Sequence, residues 1–252
     1  MNLNERIKYE AEFFNKRIQE YGIKQWNVPE NAIPNKILEQ LGILDLKNKK
    51  VLDCGCGTGQ LSVFMAKKGA NVFAIDVSAK AIEITKERAR RNGVKVDARV
   101  MPLECLKFPD NFFDLVVGQF VLHHVLIDMA AKEIYRVLKK GGKAIFEENT
   151  SFNKLLMFCR QHIVGRFGIK KLRDEIEYPL TYKDIKIISK IFHEKCYCHY
   201  FTFIFFRLAD DYIFQHKIKP ISFVLSKLDK LVYSCFPFLR KYSYYIVIEL
   251  QK

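Results

Sequence analysis

The chain has 252 residues, 49% of them apolar, which suits a globular protein with a sizeable core and excludes a disordered segment as its main body. No apolar run approaches the ~20 residues that span a bilayer, and Met1-Asn2-Leu3-Asn4-Glu5-Arg6 holds no signal-peptide core, so a cytoplasmic location with reduced, mostly buried cysteines is the expectation. The net charge of +14 is uneven: residues 150–252 hold 18 Lys/Arg against 9 Asp/Glu, which leaves nucleic acid, an anionic membrane, an acidic small molecule or plain solubility open.

Residues 1–48 read as a helical cap, with Ile7, Phe13 or Phe14, Ile18 and Tyr21 near helical spacing and Pro29 and Pro34 as punctuation. A regular alternation follows. Lys50–Cys54 reads as a strand, Gly59–Lys68 as a helix stopped by Gly69, and Asn71–Asp76 as a strand. Ser78–Asn92 reads as a helix with Ser78 as its N-cap and Gly93 as its stop. Val94–Val100 and Phe113–Gly118 read as strands, Asp128–Lys139 as a helix ended by Gly141-Gly142, and Lys143–Glu148 as a strand. This rhythm predicts an α/β, doubly wound, Rossmann-like sheet that is mostly parallel.

After Asn149 the rhythm breaks. Residues 150–190 read as a helical excursion carrying Arg160, Arg166, Lys170, Lys171 and Arg173. Cys196–Arg207 and Tyr244–Leu250 read as long strands that bring the sheet to seven, the last one antiparallel. Between them, Leu208–Arg240 is basic and partly helical, with an apolar face at Ile218, Ile221, Phe223-Val224-Leu225, Leu228 and Leu231-Val232. Such a segment fits a membrane surface; it equally fits a helix packed on the core with a lysine edge. The division expected is one domain: a cap at 1–48, a ligand-binding core at 49–149, and substrate-side insertions with the terminal strands at 150–252.

The chemistry concentrates in Val51-Leu52-Asp53-Cys54-Gly55-Cys56-Gly57-Thr58-Gly59. Glycine at every second position lets the backbone turn sharply and touch a ligand. The acid ahead of the loop would repel a phosphate, so the loop favours a cationic or hydroxyl-rich ligand. In open α/β sheets ligands sit at the carboxyl ends of strands. That rule selects this loop, Asp76 at the end of the next strand, and Gln119 after the Phe113–Gly118 strand. An acid at position 76 suits the hydroxyls of a ribose. A dinucleotide fingerprint fits less well, because its third glycine would fall on Gln60.

Five stretches, in order and at suitable spacing, resemble the class I S-adenosylmethionine-dependent methyltransferases, nearest their small-molecule, type 11-like branch. They are the Val51–Gly59 loop, Ala74-Ile75-Asp76-Val77-Ser78, Phe108-Pro109-Asp110-Asn111-Phe112-Phe113-Asp114-Leu115-Val116, Val121-Leu122-His123-His124-Val125, and Arg136-Val137-Leu138-Lys139-Lys140-Gly141-Gly142. The resemblance covers about residues 48–149. It implies S-adenosyl-L-methionine as cofactor, with S-adenosyl-L-homocysteine as product and no metal. Gly55, Cys56 and Gly57 would line its amino-acid moiety, and Asp53 would hold its ammonium directly or through water. Asp76 would take the ribose, Val77 would face the adenine, and Gln119 would lie near the sulfonium. The family often places an acid before Phe-Pro-Asp to bind the adenine amine; here Leu103 or Glu104 stands in that region. His123 and His124, after a strand end, are the candidates for a general base.

His193, Cys196, Cys198 and His199 invite a zinc reading, but in a strand the two cysteines share one face and His199 takes the other. The expected activity is methyl transfer to a small-molecule, sugar or lipid-linked acceptor, at oxygen. The rivals are an RNA methyltransferase, an NAD-dependent dehydrogenase and a non-catalytic cofactor-binding protein. Peripheral membrane contact through the basic C-terminal region is a further expectation; the oligomeric state stays open.

Overall fold

The structure, a computed structural model, describes residues 2–21, 23, 26–28, 41, 43, 45–162, 178–214 and 216–252. Its elements run α1 (Leu3–Tyr21), β1 (Lys50–Cys54), α2 (Gln60–Lys67), β2 (Asn71–Asp76), α3 (Ala79–Arg91), β3 (Val96–Val100), β4 (Phe113–Gln119), α4 (Ile127–Val137), β5 (Leu138–Asn149), α5 (Lys154–His162), α6 (Tyr182–Ile191), β6 (Cys196–His199), α7 (Lys219–Cys235) and β7 (Tyr245–Gln251). Short helical turns occupy Leu122–His124, Phe206–Ala209, Asp210–Phe214 and Pro237–Tyr242. Arg166, Lys170, Lys171 and Arg173, expected on the helical excursion, and Pro29 and Pro34 lie outside the described residues.

Alternation along the strands decides the layering. Leu52, Val116, Phe146 and Ile248 pack on one side of the sheet with α4 and α6, through Ile134 and Ile188. Val51, Leu115, Val117, Ile145 and Val247 pack on the other with Leu61, Phe64 and Met65, α2 supplying Leu61, Phe64 and Met65. Both faces are therefore apolar, as a helix-covered parallel sheet requires. The sheet has seven strands in the order β3-β2-β1-β4-β5-β7-β6. Pairing is parallel from β3 to β5 and antiparallel where β7 lies between β5 and β6. The doubly wound seven-stranded sheet expected from the sequence is the one that forms.

The helix signals also hold where caps were readable. The Ser78 hydroxyl accepts the Ala81 N–H at the start of α3, and Gly93 follows its end at φ +66°. Three boundaries differ from expectation. β3 begins at Val96 because the Val94 N–H bonds back to the Ala89 carbonyl at the end of α3. α4 stops at Val137 because Leu138 is already paired with Phe113, so Gly141-Gly142 sits in an irregular stretch of β5 rather than ending the helix. The long strand expected at Cys196–Arg207 ends at His199. Asp229, on α7, accepts the N–H groups of Phe205, Phe206 and Arg207 and turns the chain into a helical turn. The aromatic run alone gave no sign of a carboxylate arriving from more than 20 residues away.

Candidate active site

β1 has β2 on one side and β4 on the other, so the ends of these three strands open onto one crevice. It is the switch point of the sheet, where doubly wound folds bind ligands. A cavity of about 340 Å³ occupies it. Of the residues expected from sequence, Gly55, Gly57, Asp76, Val77, Leu103, Glu104, Gln119, His123 and His124 line it.

The floor is the glycine loop. Gly55, Gly57 and Gly59 all have positive φ, at 64°, 52° and 76°. A Cβ on Gly55 would come within 2.7 Å of the Val121 side chain, so only glycine lets the loop pass under the β4 exit. The loop is clamped from behind. Arg88 on α3, 1% exposed, donates to the Thr58 carbonyl and reaches the Trp26 carbonyl.

Asp53 and Cys56 stand behind this wall and do not line the cavity. Strand alternation turns Asp53 toward α2, where the Ser62 hydroxyl donates to its Oδ2 at 2.5 Å. Burial pushes its carboxyl up to about 7, ahead of the lowering by Ser62 and a further raise from Asp76. The Cys56 N–H is taken by the Ile75 carbonyl and its thiol meets the Thr85 hydroxyl.

Asp76 closes the β2 side. Its Oδ2 accepts the Gly57 N–H at 2.9 Å and its Oδ1 the Ser78 N–H at 2.9 Å. Burial raises its carboxyl above the usual range; the Ser78 and Gly57 hydrogen bonds and the nearby His124 oppose the rise. Beside it Ile75, Val77, Met101 and Leu103 form an apolar wall. Glu104 is buried, and its Oε1 accepts the Leu126 N–H at 3.0 Å ahead of α4.

The β4 side carries the histidines and two acids. Glu148 is fully buried. Its Oε1 accepts the Val121 and Leu122 N–H groups and so caps the Leu122–His124 turn, while its Oε2 lies 2.6 Å from His123 Nδ1. Gln119 donates to Glu147 Oε2 at 2.8 Å. Burial raises the Glu147 carboxyl; the Gln119 bond opposes this and the charge of Glu148 adds to it.

α1 lies over the crevice and contributes Arg6, Ile7, Glu10, Phe14, Arg17 and Ile18 to its lining. It is docked by polar contacts. Glu10 Oε2 lies 3.1 Å from His124 Nδ1, Phe14 meets the His124 ring edge to face, and Asn15 accepts from the Ser78 hydroxyl and the Lys80 N–H. Among the N-terminal aromatics, Phe14 lines the cavity, whereas the Trp26 ring lies under Arg91 on α3.

Residues 52–146 match the family described as a methyltransferase domain. The ubiquinone biosynthesis O-methyltransferase of Sinorhizobium fredii (strain NBRC 101917 / NGR234) is 30% identical over 174 residues, covering 63% of this chain and 70% of the relative. The chain belongs to the class I S-adenosylmethionine-dependent methyltransferases. This membership displaces the dinucleotide-dependent dehydrogenase alternative. The protein of the same name from Pelagibacter ubique (strain HTCC1062) is 44% identical over 127 residues, covering 50% of this chain and 51% of the relative, so this methyltransferase matches about half of that relative's length. Other matched relatives are named ubiquinone/menaquinone biosynthesis C-methyltransferases. Among solved structures, the geranyl diphosphate C-methyltransferase of Streptomyces coelicolor A3(2) shares the fold with a TM-score of 0.59, over 98% of this chain and 97% of its own, at 13% identity.

Sequence reasoning missed several residues of this methyltransferase's cavity or its supports: Glu10, Arg6 and Arg17 on α1, the Glu147-Glu148 pair, and Arg88. A signal existed for the glutamates, since they end the strand next to β4. Nothing local marks Glu10, which depends on how α1 docks.

Proposed function

We propose that this chain transfers the methyl group of S-adenosyl-L-methionine to a hydroxyl of a small-molecule acceptor, with His123 as general base. The observation that carries the reading is the buried His123–Glu148 pair on the wall of the same cavity as Asp76 and the glycine loop. Relatives named as O-methyltransferases support the acceptor atom.

The cavity suits the donor. A half-buried carboxylate at the end of β2 fits a ribose diol, the Val77, Met101 and Leu103 wall fits an adenine plane, and bare glycine backbone fits the approach of an amino-acid end. Asp76 would accept the ribose hydroxyls. Gly55 and Gly57 would floor the amino-acid moiety, with Asp53 acting from behind through Ser62 and the loop. Gln119, fixed by Glu147, would face the methionine part. Asp76, Glu10 and Glu104 line the cavity together with Arg6 and Arg17, charges of both signs that suit a donor carrying a sulfonium, an ammonium and a carboxylate. When bound, the donor supplies an electrophilic methyl group on a sulfonium, so alignment of the acceptor provides much of the rate.

The chain's own task is then to position the acceptor and take its proton. Glu148, accepting from His123 Nδ1–H, holds the tautomer whose lone pair lies on Nε2. His124, paired with Glu10, ties α1 over the cavity and shields the reacting centre from water.

Titration calorimetry followed by label transfer tests this. Methyl donor and demethylated product should bind and NAD should not. Methyl-labelled donor with a panel of phenols should yield methyl ethers. Transfer to ring carbon instead would replace the oxygen assignment, and donor binding with no transfer to any phenol, or to any sugar alcohol added to the panel, would remove the hydroxyl acceptor.

A further inference from the structure

We propose that the outward face of α7 and the aromatic turn after it dock on an anionic lipid bilayer. α7 carries an apolar stripe on its outward side as well as one toward the fold. Its one acid, Asp229, points inward, 1% exposed, holding the backbone of Phe205, Phe206 and Arg207. Three of its large apolar side chains point outward, Phe223 being 64% exposed, Val224 53% and Leu231 55%, while Ile221, Leu225, Leu228 and Val232 are half-buried. At helical spacing these three and Lys227 and Lys230 share about a third of the circumference. The turn beyond adds Phe236 and Phe238, the latter 67% exposed.

The same surface is rich in cations. Residues 216–241 contain Lys217, Lys219, Lys227, Lys230, Arg240 and Lys241 against the single, buried Asp229. Lys227 lies with its ammonium 5.2 Å from the Phe223 ring centre, apolar stem and charged head side by side. Phosphates alone would pair with the lysines and leave the phenylalanines in water. A second copy of the chain in a symmetric contact would set the cations against themselves. An anionic bilayer satisfies both, with headgroups for the lysines and hydrocarbon for Phe223, Val224, Leu231 and Phe238. Beside the helix, Phe152, Tyr182, Phe203, Phe206, Val232 and Leu239 help wall a second cavity of about 700 Å³, apolar in character and able to shelter a lipid chain next to the docking face. This proposal stands apart from the methyl-transfer reading and does not depend on it.

Sedimentation of the full chain with vesicles at low salt tests it. Vesicles of phosphatidylcholine and phosphatidylglycerol in equal parts should bind, about tenfold more tightly than phosphatidylcholine alone. Phe223→Ser with Leu231→Ser, and separately Lys227→Glu with Lys230→Glu, should each weaken that binding about tenfold or more. Both pairs lie on the exposed stripe, and unchanged methyl-donor affinity reports that each variant is folded. Absence of binding to the mixed vesicles, or equal binding by wild type and both variants, overturns the proposal. So does a lipid-free dimer, seen by light scattering, that Phe223→Ser with Leu231→Ser disperses, since the face would then join two copies of the chain.

Discussion

The halves on either side of Asn149 treat polar and apolar groups in opposite ways. Across β1 to β5, carboxylates at or beyond strand ends are met by backbone N–H groups, a histidine, a serine hydroxyl or a glutamine amide, and apolar side chains fill both faces of the sheet. Beyond residue 150 an aspartate anchors a helix from within while phenylalanines face outward. Twelve of the thirteen exposed large apolar side chains among the described residues lie there. The first half holds the cavity at its strand ends, and the second presents apolar side chains to solvent. The two proposals thus place methyl-donor binding and bilayer docking on different parts of the chain.

Variants that separate the two halves sharpen this contrast, and the largest effect belongs at the histidine. His123→Ala should lower kcat about 10²–10⁴-fold while donor affinity, measured by calorimetry, stays within about twofold. An equal loss of donor affinity would move His123 from the reaction to the donor pocket. Asp53→Asn comes next. The folded chain keeps a proton on Asp53 up to about pH 7, whereas the unfolded chain gives it up near pH 4. Wild-type stability should therefore fall relative to the variant as pH rises from about 4 to 7, by on the order of a few kcal/mol, and run parallel to it above that. Denaturant midpoints across this range read the difference.

Asp76→Ala should weaken donor binding about 10–100-fold, the worth of hydrogen bonds to a half-buried carboxylate. Unchanged affinity would take Asp76 out of the donor site. Gly55→Ala forces a positive φ and a contact with Val121, and should cost roughly 1–3 kcal/mol of folding stability in urea unfolding. The smallest effect is expected across the divide. Tyr182 stacks on Phe152 at 3.8 Å yet is more than half exposed. Tyr182→Ala should leave donor affinity unchanged and stability within about 1 kcal/mol. A shift in donor binding there would show that the halves are coupled.

Legibility followed the range of the interactions. Ser78 caps α3 through a residue three positions on, so the start of that helix was readable. The loop glycines were readable because a positive φ needs no partner to declare itself. The ends of β1, β2 and β4 converged as strand order predicts, and with them came Gly55, Asp76 and Gln119. Asp53 was assigned to the ligand because it precedes the loop, but period-two alternation turned it toward Ser62. The end of β6 and the lid contact of Glu10 were not readable, since each depends on a group brought from another element.

Periodicity, glycine placement and the ordered motifs of residues 48–149 were enough by themselves to determine the sheet, its doubly wound class and the region that faces the ligand. Those features rest on local backbone preferences and on short-range alternation of polarity. Only the tertiary structure decided which acids face the cavity, which histidine receives a buried carboxylate, how α1 closes the site and which side of α7 meets solvent. Each of these is settled by packing between segments tens of residues apart, where burial and hydrogen-bond satisfaction act on pairs that the linear order keeps separate.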